Sequence, residues 1–159
     1  MRVFVTGAAG FIGTATTREL IAGGHQVLGL ARSDSNAEAL GRLGAQVHRG
    51  SLEDLDSLCA GARQTDGTIH LAFIHDFSKF AENGLVDRRA IEAMGDALAG
   101  SGKPFVVTSG TGLVAPGTLA TEDMRPELSP HVPRVSEQVG LAYASRGARA
   151  MAIRLPQVH

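Results

Sequence analysis

Residues 2–13 read RVFVTGAAGFIG. The run RVFVT has the β-branched and aromatic content of a buried strand, and FIGTATTRELIAGG after it has helical spacing. Ile12, Ala15, Ala22 and Leu20 or Ile21 are placed to share that helix's buried side, and Gly23 and Gly24 stop it. Between strand and helix stand Gly7, Gly10 and Gly13. Gly7 permits a sharp turn through positive φ, Gly10 leaves space beside the first helical amides, and Gly13 lets helix and strand approach closely. A glycine triplet also serves plain turns. A strand before it and a helix after it are the setting in which such a turn cradles a phosphate on unpaired N–H groups.

The same alternation continues along the chain. QVLGLA (26–31), AQVHRG (45–50), GTIHLAF (67–73), PFVVTSG (104–110) and ARAMAIRLP (148–156) read as further strands. Helical patterns separate them: 35–44, capped by Ser33 or Asp34; 52–62; a long one from Phe77 or Asn83 to Ala99; and 134–147. Four of the six prolines fall in 110–133, which reads mostly as loop. Six strands alternating with helices predict an α/β fold, a three-layer, doubly wound parallel sheet in the order 3-2-1-4-5-6, the Rossmann arrangement. Ligands of such sheets bind beyond the strands' carboxyl ends where the winding reverses, between the first and fourth strands, and the glycine turn lies there.

The chain's 159 residues suit one domain, 1–159. A net charge of −1 with no basic block excludes a nucleic-acid tracking surface. Cys59 is the only cysteine, so internal disulfides and two-cysteine zinc motifs are excluded, and no metal-ligand spacing is present. The apolar N-terminus is interrupted by Thr6, Gly7 and Gly10, unlike a secretory signal. No segment approaches the roughly 18 uncharged apolar residues of a membrane span. A soluble, cytoplasmic protein with no membrane or nucleic-acid partner is expected.

TGAAGFIG resembles the TGxxGxxG signature of the extended short-chain dehydrogenase/reductases, the NAD-dependent epimerase/dehydratase family. GSLED, HLAF, FVVTSGTG and AIRLPQVH are similar to that family's adenine-side turn and its fourth, fifth and sixth strands. The resemblance implies a nicotinamide dinucleotide and a small-molecule substrate. Gly7, Ala9, Gly10, Phe11, Ile12 and Gly13 then form the pyrophosphate cradle, Ser51 and Leu52 the adenine side, and Leu71, Ala72 and Phe73 the wall beside the nicotinamide ribose. Ser51 stands where the family usually has aspartate. At the end of the second strand, Arg32 pairs with a 2′-phosphate and Ser33 adds a hydrogen bond, so NADP is preferred to NAD; Asp34 reaching a ribose hydroxyl is the competing reading.

The family's proton-transfer pair is Tyr-x-x-x-Lys, one helical turn apart. This chain has one tyrosine, Tyr143, followed by ASRG. Counting back from Glu137 puts the family's tyrosine at Ser129 and its lysine at Pro133. Tyr143 reads as a packing residue. Ser109 or Thr111 is expected to orient a substrate oxygen, and His75 or His131 to serve as an acid, while His70 reads as a core residue. An oxidoreductase moving hydride to or from a small carbonyl or hydroxyl compound is the first expectation; a non-catalytic NADP sensor is the alternative. The resemblance also implies a homodimer through the long helix and the last one, where a solvated outer face is the other reading. The family's C-terminal substrate region is expected to be absent from this stretch.

Overall fold

The computed structural model describes residues 1–114, 119, 121–126 and 134–156. Its strands are β1 (Arg2–Thr6), β2 (Gln26–Ala31), β3 (Gln46–Arg49), β4 (Gly67–His70), β5 (Pro104–Gly110) and β6 (Arg149–Leu155). All pair in parallel, in the order β3-β2-β1-β4-β5-β6. The helices are α1 (Phe11–Ala22), α2 (Asp34–Arg42), α3 (Leu55–Arg63), α4 (Phe80–Leu98) and α5 (Ser136–Ala142). The Rossmann-like α/β fold expected from the alternation is therefore present.

Side-chain alternation along β1 builds two cores. Val3 and Val5 pack with Val27, Ala31 and Leu40, and with half-buried Leu20 and Ile21, beneath α1 and α2. Phe4 points the other way, joining Leu58, Ala90, Ile91, Met94, Leu98, Phe105 and Tyr143 beneath α3, α4 and α5. A strand covered on both faces needs this apolar run.

Three local expectations are corrected. On α1 the buried residues are Gly13 and Thr17, while Ala15 and Ala22 are exposed, because the helix meets the sheet through its glycine. On α4 the helical spacing of Val86, Ala90, Ala93 or Met94 and Ala97 predicts the buried stripe; Ala90 and Met94 are buried as expected, while Val86 and Ala97 are only half-buried and Asn83, Asp87, Ile91 and Leu98 complete the stripe. β4 ends at His70 instead of running to Phe73, because β1 turns away at Gly7 just past the Thr6–His70 pair. Thr6 replaces the lost ladder: its carbonyl accepts from Leu71 N–H at 3.3 Å and its hydroxyl from Ala72 N–H at 3.3 Å. Among the described residues no helix is long and apolar enough to cross a membrane.

Candidate functional site

At the β1–α1 junction Gly7 has φ +69°, and a Cβ there would lie 2.8 Å from Ala72 N. The turn closes through Gly10 N–H to Gly7 O at 2.9 Å. A Cβ on Gly13 would stand 1.9 Å from Gly7 O, so only glycine lets the helix start against the turn. Ser33 caps α2 by accepting from Asn36 N–H, and Asp54 caps α3 by accepting from Ser57 N–H. In contrast, α1 starts at Gly10 with no side-chain cap and no acidic residue in its first turn. Its leading amides have no partner inside the helix, and the helix dipole adds partial positive charge.

These amides border a cleft of ≈ 640 Å³ at the carboxyl ends of the strands. Every cofactor residue expected from the sequence lines it except Ser33. The oxygen of Ser33 is committed to capping α2 and lies 2.9 Å from Ser35 Oγ. Asp34 pairs with Arg49 at 2.7 Å, and exposed Arg32 stands at the cleft itself. Leu30, Asn36, Gly50, Glu53 and Ile74 also line the cleft and were missed. The signal for Asn36 was its place in the first turn of α2, three residues past the Ser33 cap.

Among the described residues, one of the expected chemical groups lines this cleft. His75 lines the cleft and is exposed. Ser109 is buried at the end of β5. Thr111 opens instead on a second cavity of ≈ 510 Å³ between β6, α5 and residues 121–125. His131 lies outside the described residues. Tyr143 is buried away from the cleft lining: its ring packs edge-on to Phe105, and its hydroxyl lies 2.9 Å from Glu92 O and from Asp96 Oδ1. Among the described residues no group of three or more His, Cys, Asp or Glu side chains is placed to hold a metal ion.

Sequence reading did not find Arg134. Its guanidinium carbon sits 4.1 Å over the ring of Phe73, which lines the cleft. Nε donates to Ser136 Oγ at 3.0 Å and Nη2 to Thr108 O at 3.3 Å. Burial pushes this guanidinium below its ordinary value, with the Asp87 carboxylate pulling the other way. His70, 1% exposed, has partners on both ring nitrogens, Thr6 Oγ1 at 2.8 Å and Asp87 Oδ1 at 3.0 Å.

A parallel doubly wound sheet with an uncapped helix at its reversal point defines a nucleotide-binding α/β protein. The profile of the NAD dependent epimerase/dehydratase family matches residues 3–133, and the chain belongs to that family. An uncharacterised protein of Schizosaccharomyces pombe is 46% identical over 157 residues, covering 98% of this chain and 53% of its own length. The chain thus spans about half the length of the curated relatives it matches. The decarboxylating sterol-4-alpha-carboxylate 3-dehydrogenase of Dictyostelium discoideum is 37% identical over 70 residues, 44% of this chain and 21% of that protein. The Thermus thermophilus UDP-glucose 4-epimerase, solved in complex with NAD, superposes with TM-score 0.73 at 23% identity, covering 97% of this chain and 54% of its own.

Proposed function

We propose that the chain binds a nicotinamide dinucleotide, NADP in preference to NAD, and serves an oxidoreductase acting on a small carbonyl or hydroxyl compound. The observation that carries this reading is the uncapped start of α1, set over the Gly7–Gly13 turn and opening on the cleft. The residues fit the group: the three glycines leave the backbone bare where a pyrophosphate needs N–H donors, and any side chain at Gly13 would fill the turn. When bound, the reduced nicotinamide supplies a hydride to a carbonyl carbon, and the oxygen takes a proton.

The chain's own part is to bind and orient. The α1 amides hold the diphosphate and Arg32 pairs with the 2′-phosphate as a forked donor. Ser51 and Asn36 border the adenosine end, and Ala72 and Phe73 form the wall at the other end. His75, which lines the cleft, is the candidate group to exchange that proton. Titration of the whole protein with NADPH and NADH, before and after Arg32→Ala, tests the assignment. Loss of about tenfold or more in NADPH affinity with NADH little changed is expected, on the scale of a charge-assisted hydrogen bond. Tighter NADH binding by the unmodified protein, or an indifferent Arg32→Ala, overturns the NADP preference.

One observation favours a second reading, a non-catalytic NADP sensor. The sole tyrosine is turned into α4 and does not line the cleft. NADPH oxidation against a panel of aldehydes, ketones and nucleotide sugars separates the two readings: turnover excludes the sensor, and tight binding without turnover supports it.

A further inference from the structure

Behind the cleft wall at the end of β4 lies a row of buried polar groups that gripping the phosphates does not require. At its centre is Asp87 on α4, 1% exposed and set in an otherwise mainly apolar stripe. Each of its carboxylate oxygens receives a separate chain of donors. Oδ1 lies 3.0 Å from His70 Nε2; His70 Nδ1 lies 2.8 Å from Thr6 Oγ1; and Thr6 Oγ1 accepts Ala72 N–H at 3.3 Å. Oδ2 accepts Ser136 Oγ–H at 2.6 Å; Ser136 Oγ accepts Arg134 Nε–H at 3.0 Å; and the Arg134 guanidinium rests on the Phe73 ring at 4.1 Å.

The ends of these chains fix their direction. A backbone amide and a guanidinium only donate, and a carboxylate only accepts. With His70 as the neutral imidazole, Nε2–H donates to Asp87 and Nδ1 accepts from Thr6 Oγ1–H, and Ser136 donates to Asp87. The network assigns this tautomer, and in it every polar link is a satisfied hydrogen bond, the final contact to Phe73 being a cation–π stack. The two chains cross β1, β4, α4 and the start of α5, yet they finish on consecutive residues. One holds the backbone of Ala72 and the other holds the ring of Phe73, and both residues line the cleft. Burying a carboxylate and its relays is a poor way to gain stability compared with apolar packing. Fixing one short wall in one geometry is what such a network does well.

We propose that Asp87 is a positioning residue for the nicotinamide end of the cleft. Through His70 and Thr6 it sets the Ala72 backbone, and through Ser136 and Arg134 it sets the Phe73 ring, so that together they form a rigid wall for the nicotinamide ring to pack against. This rests on the cofactor reading given under Proposed function. The adenosine and phosphate contacts lie at the α1 turn and Arg32, so the network acts on one half of the ligand only.

The test compares two ligands on the whole protein: NADPH, and 2′-phospho-ADP-ribose, which keeps the phosphates and lacks the nicotinamide. Asp87→Asn replaces one acceptor oxygen by a donor, Ser136→Ala cuts the arm to Arg134, and Arg134→Lys keeps the charge and loses the stacked plane. Each is expected to weaken NADPH about tenfold, the scale of one hydrogen bond to a charged group, and to leave 2′-phospho-ADP-ribose within about twofold. The fluorescence of bound NADPH is expected to fall toward that of free cofactor, since the ring loses its rigid wall. Equal losses for both ligands mean a general structural role and overturn the proposal, as does no loss for either. If Asp87→Asn does not fold, Ser136→Ala, which leaves the Asp87–His70 link intact, decides the matter alone. Unmodified protein that binds neither NADPH nor NADH overturns the cofactor reading and the proposal with it. Unmodified protein that binds normally beside unaffected variants overturns the proposal alone.

Discussion

Tyr143 ionises in an environment unlike water. Burial first, and then the hydrogen bond to the Asp96 carboxylate, push its pKa from 10.0 up to about 12. The folded state thus favours the neutral phenol. That contribution to stability is whole below pH 10 and is lost as pH rises from there toward about 12. Because the chain has one tyrosine and no tryptophan, phenolate absorbance reports this side chain alone. The expected midpoint is near 12 in folded protein and near the ordinary tyrosine value in urea. A folded midpoint equal to the urea one contradicts the packing against α4. Asp87 makes a similar point about reading charge from sequence. Beside Arg88 and Arg89 it looks like part of a solvated face, yet its spacing of four from Asn83 and of three and four to Ala90 and Ile91 places it in the buried stripe.

Among the elements, the β1–α1 turn has the least tolerance for change. Gly13→Ala puts a methyl group 1.9 Å from a backbone oxygen that cannot swing aside. A loss of about 3 kcal/mol in urea unfolding is expected, at the upper end of overpacking costs, together with loss of NADPH binding. A variant that unfolds at the unmodified midpoint and binds normally shows that the turn has slack. This turn was readable from RVFVTGAAGFIG alone, because strand composition, glycine spacing and helix periodicity all point the same way. The far wall of the cleft was only half readable. Leu71, Ala72 and Phe73 were assigned to it, but as strand; where β4 stops depends on where its neighbour β1 turns, which no property of HLAF records. Arg134 and its seat on Phe73 join residues 61 positions apart, and local pattern carries no trace of that contact.

At the scale of the molecule, Arg154 ties the last strand to the rest. From β6 it makes a side-on pair with Glu137 of α5 through Nε at 2.9 Å and Nη2 at 2.6 Å, and it also donates to the carbonyls of Thr121, Glu122 and Met124. The Glu137 side chain is 3% exposed, so removing its partner strands a buried charge. Arg154→Met is expected to cost about 3 kcal/mol in denaturant unfolding, and adding Glu137→Gln to recover part of it. A single-variant loss well under 1 kcal/mol, within the usual worth of surface pairs, shows that Glu137 finds water instead. Across the molecule, Cys59 on α3 sends its thiol to Ala93 O of α4 at 3.3 Å and is half-buried. Nature has thereby left a single chemical handle on the seam between two helices. An alkylating reagent added to the unaltered protein reports the accessibility of that seam, with no label to engineer and no second sulfhydryl to confuse the count.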